Sequence, residues 1–499
     1  PLCGSLVWGG SRYGVFSKSP QTGLYAESYA GGRVPEAIDA AGYDAVVIHG
    51  QSNVPTVLEI DPDGVTFHQA DKLWGMDTHQ TEKAVLQRFS APGKNRVKTG
   101  ALVIGPAGEN QVCFSVIEND YWRSAGRTGI GAVLGSKQIK AMVFRGGRRR
   151  IPADGNGLRT LAKAMARAGK NDTQVAAYKN KGTAMMVKIM NEAGGFPTRY
   201  WSEGTYDRWE AIGSDALHER CHVKPRACLK CFMACGRLTT VRHGRHAGLK
   251  LEGPEYETIY AFGGLCAIDR IEEIVYLNDL CDRLGMDTIT AGNLCGLAIE
   301  ATRRGKIFGD LDYGHVDAIA ALLSDIAYRK GVGKVLARGI RSAAVEWGLQ
   351  DIAVHVKGLE PAGYDPRLLK GVGLGYATAG RGACHLRATF YKPELSGMID
   401  PETTDGKAAL YIDFEDRLTL FDTLILCRFY RDLYPWETLA EIVAYATGHR
   451  LERAELKAVG SRICDTVRRF NIREGLTAQD ERGPKRIHRE AFKAGHRIT

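Results

Sequence analysis

At 499 residues, 44% of them apolar, the chain is too long for one hydrophobic core, and two to four globular domains are expected. A formal charge of +10 is modest for that length, so no nucleic-acid partner is implied, and no run nears the ~18 apolar residues of a membrane span. Twelve cysteines, unevenly spaced in a chain with no secretory signal at its start, do not make a disulfide framework and point to a reducing, cytoplasmic setting.

Up to about residue 150 the chain alternates short apolar runs with turn signals. Ala45-Val-Val-Ile48, Pro55-Thr-Val-Leu58, Ala101-Leu-Val-Ile104 and Lys140-Ala-Met-Val-Phe144 are expected strands of a β-rich domain, residues 1–150. The basic run Arg145-Gly-Gly-Arg-Arg-Arg150 closes it, as a solvated boundary or as part of a face for an acidic partner. Inside this domain, Arg123-Ser-Ala-Gly-Arg127-Thr-Gly129-Ile-Gly131-Ala-Val-Leu-Gly135 is the densest glycine segment. Backbone N–H groups beside two arginines suit phosphate oxygens. A turn into a helix packed closely on a sheet explains the same glycines equally well. There is no Walker lysine and no dinucleotide fingerprint.

From residue 157 onward the apolar spacing turns helical, over 157–168, 270–284, 287–304, 316–329, 332–347 and 437–447. Two prolines and two glycines in residues 354–366 mark a second junction, dividing the helical part into domains 151–356 and 357–499. The fold class expected is α+β: a β domain followed by two mainly α-helical domains. No internal repeat is present.

Cys228-Leu-Lys-Cys231-Phe-Met-Ala-Cys235 puts three thiols into eight residues. A cubane iron–sulfur cluster needs four, and Cys427 is the candidate for the last. Zinc competes less well because no second Cys pair follows, and buried core cysteines are the third reading. Next, Glu252-Gly-Pro-Glu255-Tyr-Glu257 sets acids beside aromatics and glycines, as a buried general base or as a helix cap. Asp282-Arg-Leu-Gly285-Met-Asp287 joins two helices, and Asp287 alone reads as an N-cap. His385, in Arg381-Gly-Ala-Cys384-His385-Leu-Arg387, is either a proton donor or a structural imidazole.

In their order along the chain these segments resemble the tungsten-containing aldehyde ferredoxin oxidoreductase family. Ser17-Lys-Ser-Pro-Gln-Thr-Gly23, Ala41-Gly-Tyr-Asp-Ala-Val46, the glycine-arginine turn, the cysteine motif, Gly253-Pro-Glu-Tyr-Glu-Thr258 and Phe470-Asn-Ile-Arg-Glu-Gly475 carry the likeness. Asp282-Arg-Leu-Gly-Met-Asp287 and Asp422-Thr-Leu-Ile-Leu-Cys427 resemble the family's two pterin motifs. The resemblance implies a tungsten (or molybdenum) bis-pyranopterin whose phosphates share Mg2+, beside a 4Fe-4S cluster held by Cys228, Cys231, Cys235 and Cys427. It implies pterin contacts from Asp282, Gly285, Asp287 and Asp422, phosphate neighbours in Arg123, Arg127 and Gly129, and Arg12 between pterin and cluster. Glu257 and His385 match the catalytic acid and histidine.

The implied reaction is oxidation of an aldehyde to a carboxylic acid. Electrons pass through the cluster to ferredoxin or a ferredoxin-like subunit, with no membrane partner and a homo-oligomer as one possible assembly. The alternatives are another low-potential reduction of a carboxylic acid or an aromatic acyl-CoA, for which Cys266 would be a tungsten ligand, and a non-catalytic iron–sulfur carrier or zinc scaffold. Three departures stand out. Ile425 replaces a motif glycine and is expected to keep its backbone out of the left-handed region. Ser28-Tyr-Ala-Gly-Gly32 lacks an expected asparagine near the magnesium. Pro1 falls inside the family pattern, so an opening stretch of about half a domain is expected to be missing, with an exposed sheet edge as the result.

Overall fold

The computed structural model describes residues 1–90 and 97–491; residues 492–499 of the third expected domain lie outside these. The β domain opens with a hairpin, β1 (Tyr13–Lys18) and β2 (Tyr25–Ala30). A mixed six-stranded sheet follows, built from β3 (Thr56–Asp61), β4 (Gly64–Gln69), β5 (Lys98–Val103), β6 (Ile117–Asn119), β7 (Arg123–Ala125) and β8 (Ile139–Gly146), in the order β4-β3-β8-β5-β6-β7. The pair β3 and β8 is parallel and the other pairs are antiparallel.

β8 is buried along nearly its whole length because both faces of the sheet are covered. Helix α1 (Val34–Ala41) and the hairpin pack on one side, around Val34, Ala37, Leu102 and Phe144. Helix α2 (Thr78–Phe89) packs on the other, around Val85, Phe89, Ala101 and Val143. At the outer edge, β4 leaves Phe67 71% exposed. Residues 45–48 do not form the expected strand; Val46 and Val47 face solvent, so the apolar run has no sheet neighbour to satisfy its backbone.

Helices dominate from α4 (Gly155–Asn171) onward, after the short α3 (Ile130–Ser136). The helical part also holds a three-stranded sheet that periodicity did not predict: β9 (Cys221–Arg226), β10 (Gly236–Val241) and β11 (Lys250–Glu252). Helices α5 (Ile271–Leu284) and α6 (Thr288–Arg303) form the centre of the largest core and are followed by α7 (Lys407–Thr423) and α8 (Arg453–Arg473). The expected helix over residues 332–347 is broken: Gly339 at φ 88° separates Gly333–Leu336 from Ile340–Trp347. That largest core runs without a break from Ala107 to Ala383, across the junction expected near residue 356. No helix among the described residues is long and apolar enough to cross a membrane.

Candidate active site

The three clustered cysteines lie in the connection between β9 and β10. Lys230 (φ 50°) and Ala234 (φ 46°) take left-handed backbone there, which curls the loop tightly. Backbone bonds fix it against the start of the chain: Leu229 N–H donates to Gly32 O at 3.3 Å, and Gly9 N–H to Lys230 O at 3.4 Å. Cys427 joins from the far end of the sequence, its N–H donating to Gly9 O at 3.0 Å. A Cβ on Gly31 would lie 2.7 Å from the Cys228 sulfur, so only glycine lets the loop close there.

Two of the four thiols are shifted by their neighbours. Burial, then Cys427, pushes the Cys231 thiol up to about 11. Burial, Glu255 and the other three cysteines hold Cys235 well above its ordinary value. Arg123 Nη1 donates to Cys228 Sγ at 2.8 Å and Tyr430 Oη to Cys231 Sγ at 3.3 Å, leaving donors aimed at sulfur. Among the described residues no three His, Cys, Asp or Glu side chains converge on one point, as a single ion would require. Arg123 also pairs with Glu252, so it stands at the cysteine group rather than beside Arg127. Arg12 donates to Tyr29 O at 3.2 Å and flanks Gly31 together with Cys228.

Glu257 and His385, 128 positions apart in sequence, meet at 3.5 Å between Oε1 and Nε2. Glu257 lies in the first turn of the short helix Tyr256–Ile259, and His385 lies in the loop after the glycine-rich helix Lys370–Thr378. Gly363 N–H donates to Glu257 Oε2 at 2.9 Å, which leaves Oε1 with no hydrogen-bond partner. Tyr364 stacks on His385 at 5.8 Å and on Tyr391 at 4.2 Å, an aromatic wall along one side of the pair. Burial pushes Glu257 up to about 7 and, with Arg127, Arg381 and Arg428, holds His385 well below its ordinary value. At neutral pH the imidazole is therefore neutral, and the carboxyl is poised between its two forms.

Asp282 and Asp422 sit at matching places, near the C-terminal ends of α5 and α7. Both helices close with the same pair of backbone bonds. Gly285 N–H donates to Asp282 O and Met286 N–H to Cys281 O; Ile425 N–H donates to Asp422 O and Leu426 N–H to Phe421 O. The expectation for Ile425 is thus corrected: its φ is 53°, in the left-handed region beside Gly285 at 78°. The six-residue turn and its two bonds override the side chain's preference, at a cost of about 1–2 kcal/mol.

Around Asp282 carboxyl groups accumulate. Burial and Asp279 hold its carboxyl well above the usual range, with Asn278 Nδ2 donating at 2.8 Å. Glu118 on β6 interacts with it and is also held high by burial, and neither of its oxygens has a partner. Around Asp422 the balance is reversed: Arg387 Nη1 reaches it at 2.9 Å, and Arg428 also pairs with it. Arg387 further pairs with Glu27, and a cavity of about 500 Å3 opens beside these groups.

Asp287 caps α6, accepting from Ile289 N–H and Thr290 N–H, each at 3.2 Å. It also pairs with Arg127 Nε at 3.2 Å, while Arg127 Nη2 donates to Glu360 O at 2.7 Å. A Cβ on Gly129 would sit 1.8 Å from Cys113 O, so this glycine permits α3 to pack on neighbouring backbone. Gly126, whose nearest such contact is 3.5 Å, is the turn glycine with open space. Sequence reasoning missed Glu118 and Glu360, buried carboxyls each with an unpartnered oxygen, and burial pushes Glu360 up to about 7. It also missed Arg428, next to Cys427. Cys266 is a core thiol, donating to Ala261 O and Gly292 O at 3.5 Å.

The family model "Aldehyde ferredoxin oxidoreductase, N-terminal domain" matches residues 1–146, and the model for domains 2 and 3 matches residues 159–498. The chain belongs to the aldehyde ferredoxin oxidoreductase family. It is 34% identical to the tungsten-containing aldehyde ferredoxin oxidoreductase of Thermococcus kodakarensis, over 99% of this chain and 82% of that protein. Against the Pyrococcus furiosus protein of the same name it is 33% identical with the same coverage. A more distant relative is the aliphatic sulfonate oxidoreductase WOR-like subunit of Pyrococcus furiosus, 30% identical over 72% of this chain and 60% of that subunit. Among solved structures, the active site complex BamBC of benzoyl coenzyme A reductase shares the fold, with a TM-score of 0.83 at 22% identity, over 97% of this chain and 82% of that one.

Proposed function

We propose that this oxidoreductase oxidises aldehydes to carboxylic acids and delivers the electrons, one at a time, to ferredoxin or a ferredoxin-like subunit. The observation that carries the reading is the Glu257–His385 pair, with one carboxylate oxygen held by Gly363 N–H and the other unpartnered. Water supplies the new oxygen, so each turnover turns RCHO and H2O into RCOOH, two protons and two electrons. Glu257 Oε1 takes a proton from the attacking water. Neutral His385 donates a hydrogen bond to the aldehyde oxygen, where negative charge develops. The tyrosine wall orients the substrate.

The residues fit the groups that the family implies. Asp282 and Glu118, rich in acceptors and short of donors, suit the N–H edge of a pterin, and Asp422 with its two arginines suits a second one. Cys228, Cys231, Cys235 and Cys427 would hold a 4Fe-4S cluster, whose iron relieves their mutual repulsion. Bound there, a tungsten bis-pterin supplies the two-electron acceptor. Magnesium at the pterin phosphates belongs to the same reading. A bare electron carrier or zinc scaffold has no use for the Glu257–His385 pair, and Cys266, bonded within the core, gives no thiolate for a different tungsten chemistry. Metal analysis with aldehyde-dependent dye reduction tests the proposal. Tungsten or molybdenum with about four irons per chain and dye reduction are expected; zinc alone, or iron without aldehyde oxidation, overturns it.

A further inference from the structure

The loop that carries three of the cysteines also carries the exposed Leu229 and Lys230, so a group held by those cysteines lies close to the surface. Electron transfer falls off steeply with distance, and an acceptor must therefore approach this side of the molecule. The surface there is continuous. Leu229 N–H bonds Gly32 O, which sets Leu229 beside the exposed Arg33. Lys230 Nζ reaches the carbonyls of Gly4 and Ser5 at 3.3 and 3.2 Å, next to Leu6, and lies 3.4 Å from Glu36 Oε1. The other oxygen of Glu36 holds Lys98 at 2.5 Å.

The result is an apolar centre with a cationic rim. Leu6 is 41% and Leu229 37% exposed, far more than a residue packed in a core. Lys98 and Lys230 flank one carboxylate, Glu36, whose side chain is only 8% exposed and whose pKa is lowered by the two lysines, and the exposed Arg33 beside Leu229 adds a third cation. Asp120 is turned inward, onto the N–H groups of Arg33 and Asn119. A small apolar centre with a charged rim is how a transient redox encounter is steered without becoming tight.

We propose that the face formed by Leu6, Arg33, Lys98, Leu229 and Lys230 docks a small acidic iron–sulfur protein that takes electrons from the cysteine-held group. This rests on the proposed electron exit and adds where the acceptor binds and by which charges. A nucleic acid would match the cations but leave the two leucines without a partner.

The test uses the holoenzyme with two acceptors, an acidic ferredoxin and the dye benzyl viologen, at several salt concentrations. Arg33→Glu and Lys98→Gln lie outside the cysteine loop. Each is expected to raise the KM for ferredoxin about tenfold and to flatten its salt dependence, with dye reduction and iron content unchanged. An unchanged ferredoxin KM, or equal losses with both acceptors, overturns the docking face. A wild type that reduces benzyl viologen but not ferredoxin with aldehyde overturns the electron-exit reading itself, and the face with it.

Discussion

The helix ends carrying Asp282 and Asp422 share a backbone and differ in almost everything else. Each closes with the same two hydrogen bonds around a left-handed residue, Gly285 in one and Ile425 in the other. Yet Asp282 sits among carboxyls, with Asp279 and Glu118, whereas Asp422 is clamped by the guanidinium groups of Arg387 and Arg428. A repeated turn therefore fixes where two carboxyls point, and the surroundings decide what each is for. The first is short of donors until a ligand brings them; the second already holds two guanidinium groups on one oxygen, Oδ2.

That difference is broken most severely at Asp422. Asp422→Ala leaves Arg428 without its carboxylate, while Arg387 keeps Glu27, and is expected to destabilise the fold by about 3 kcal/mol, read by denaturant unfolding. Asp282→Asn is expected to do the opposite. Burial and Asp279 disfavour a charge on this carboxyl, and the isosteric amide carries none, so the stability change stays below about 1 kcal/mol. Pterin content should fall in that variant all the same, because the amide is a weaker acceptor for a bound N–H edge. Equal unfolding losses in the two variants would erase the contrast. The smallest effect is at the turn residues: Ile425→Gly is expected to stabilise by about 1 kcal/mol, the strain less the added chain entropy.

The chemistry of the site was legible where a residue type has few other uses. Three cysteines in eight residues single out a candidate metal site, with zinc and core cysteines as the rival readings, and the acids around Glu257 stand out beside their aromatics. Their partners were not legible from spacing. His385 reaches Glu257, and Cys427 the cysteine loop, only because the helices between them fold back across one core. The strands β9 to β11 escaped because Cys221-His-Val-Lys-Pro-Arg226 is charged, interrupted by proline and weakly alternating, so pairing rather than pattern makes it a strand. Glu118 and Glu360 lie in a short strand and a loop, where no periodicity distinguishes a buried acid from an exposed one. The glycine turn was legible as a choice between phosphate binding and close packing, and Gly129 serves the second, in its contact with Cys113.

The central claim is that Glu257, poised by burial near neutrality, is the base of an aldehyde oxidation. The most direct measurement is kcat/KM for aldehyde-dependent dye reduction between pH 5 and 9, in the wild type and in Glu257→Gln, with iron and tungsten contents determined on the same samples. Glu257 must be deprotonated to accept a proton, so the wild-type rate is expected to rise through one ionisation near the value of about 7 and then level off. His385, held well below its ordinary value by burial and the nearby arginines, adds no falling limb above neutrality. Glu257→Gln is expected to keep its metals, lose the pH dependence and fall at least about 100-fold. A pH-independent wild-type rate, or a glutamine variant with normal metals and full activity, would contradict it.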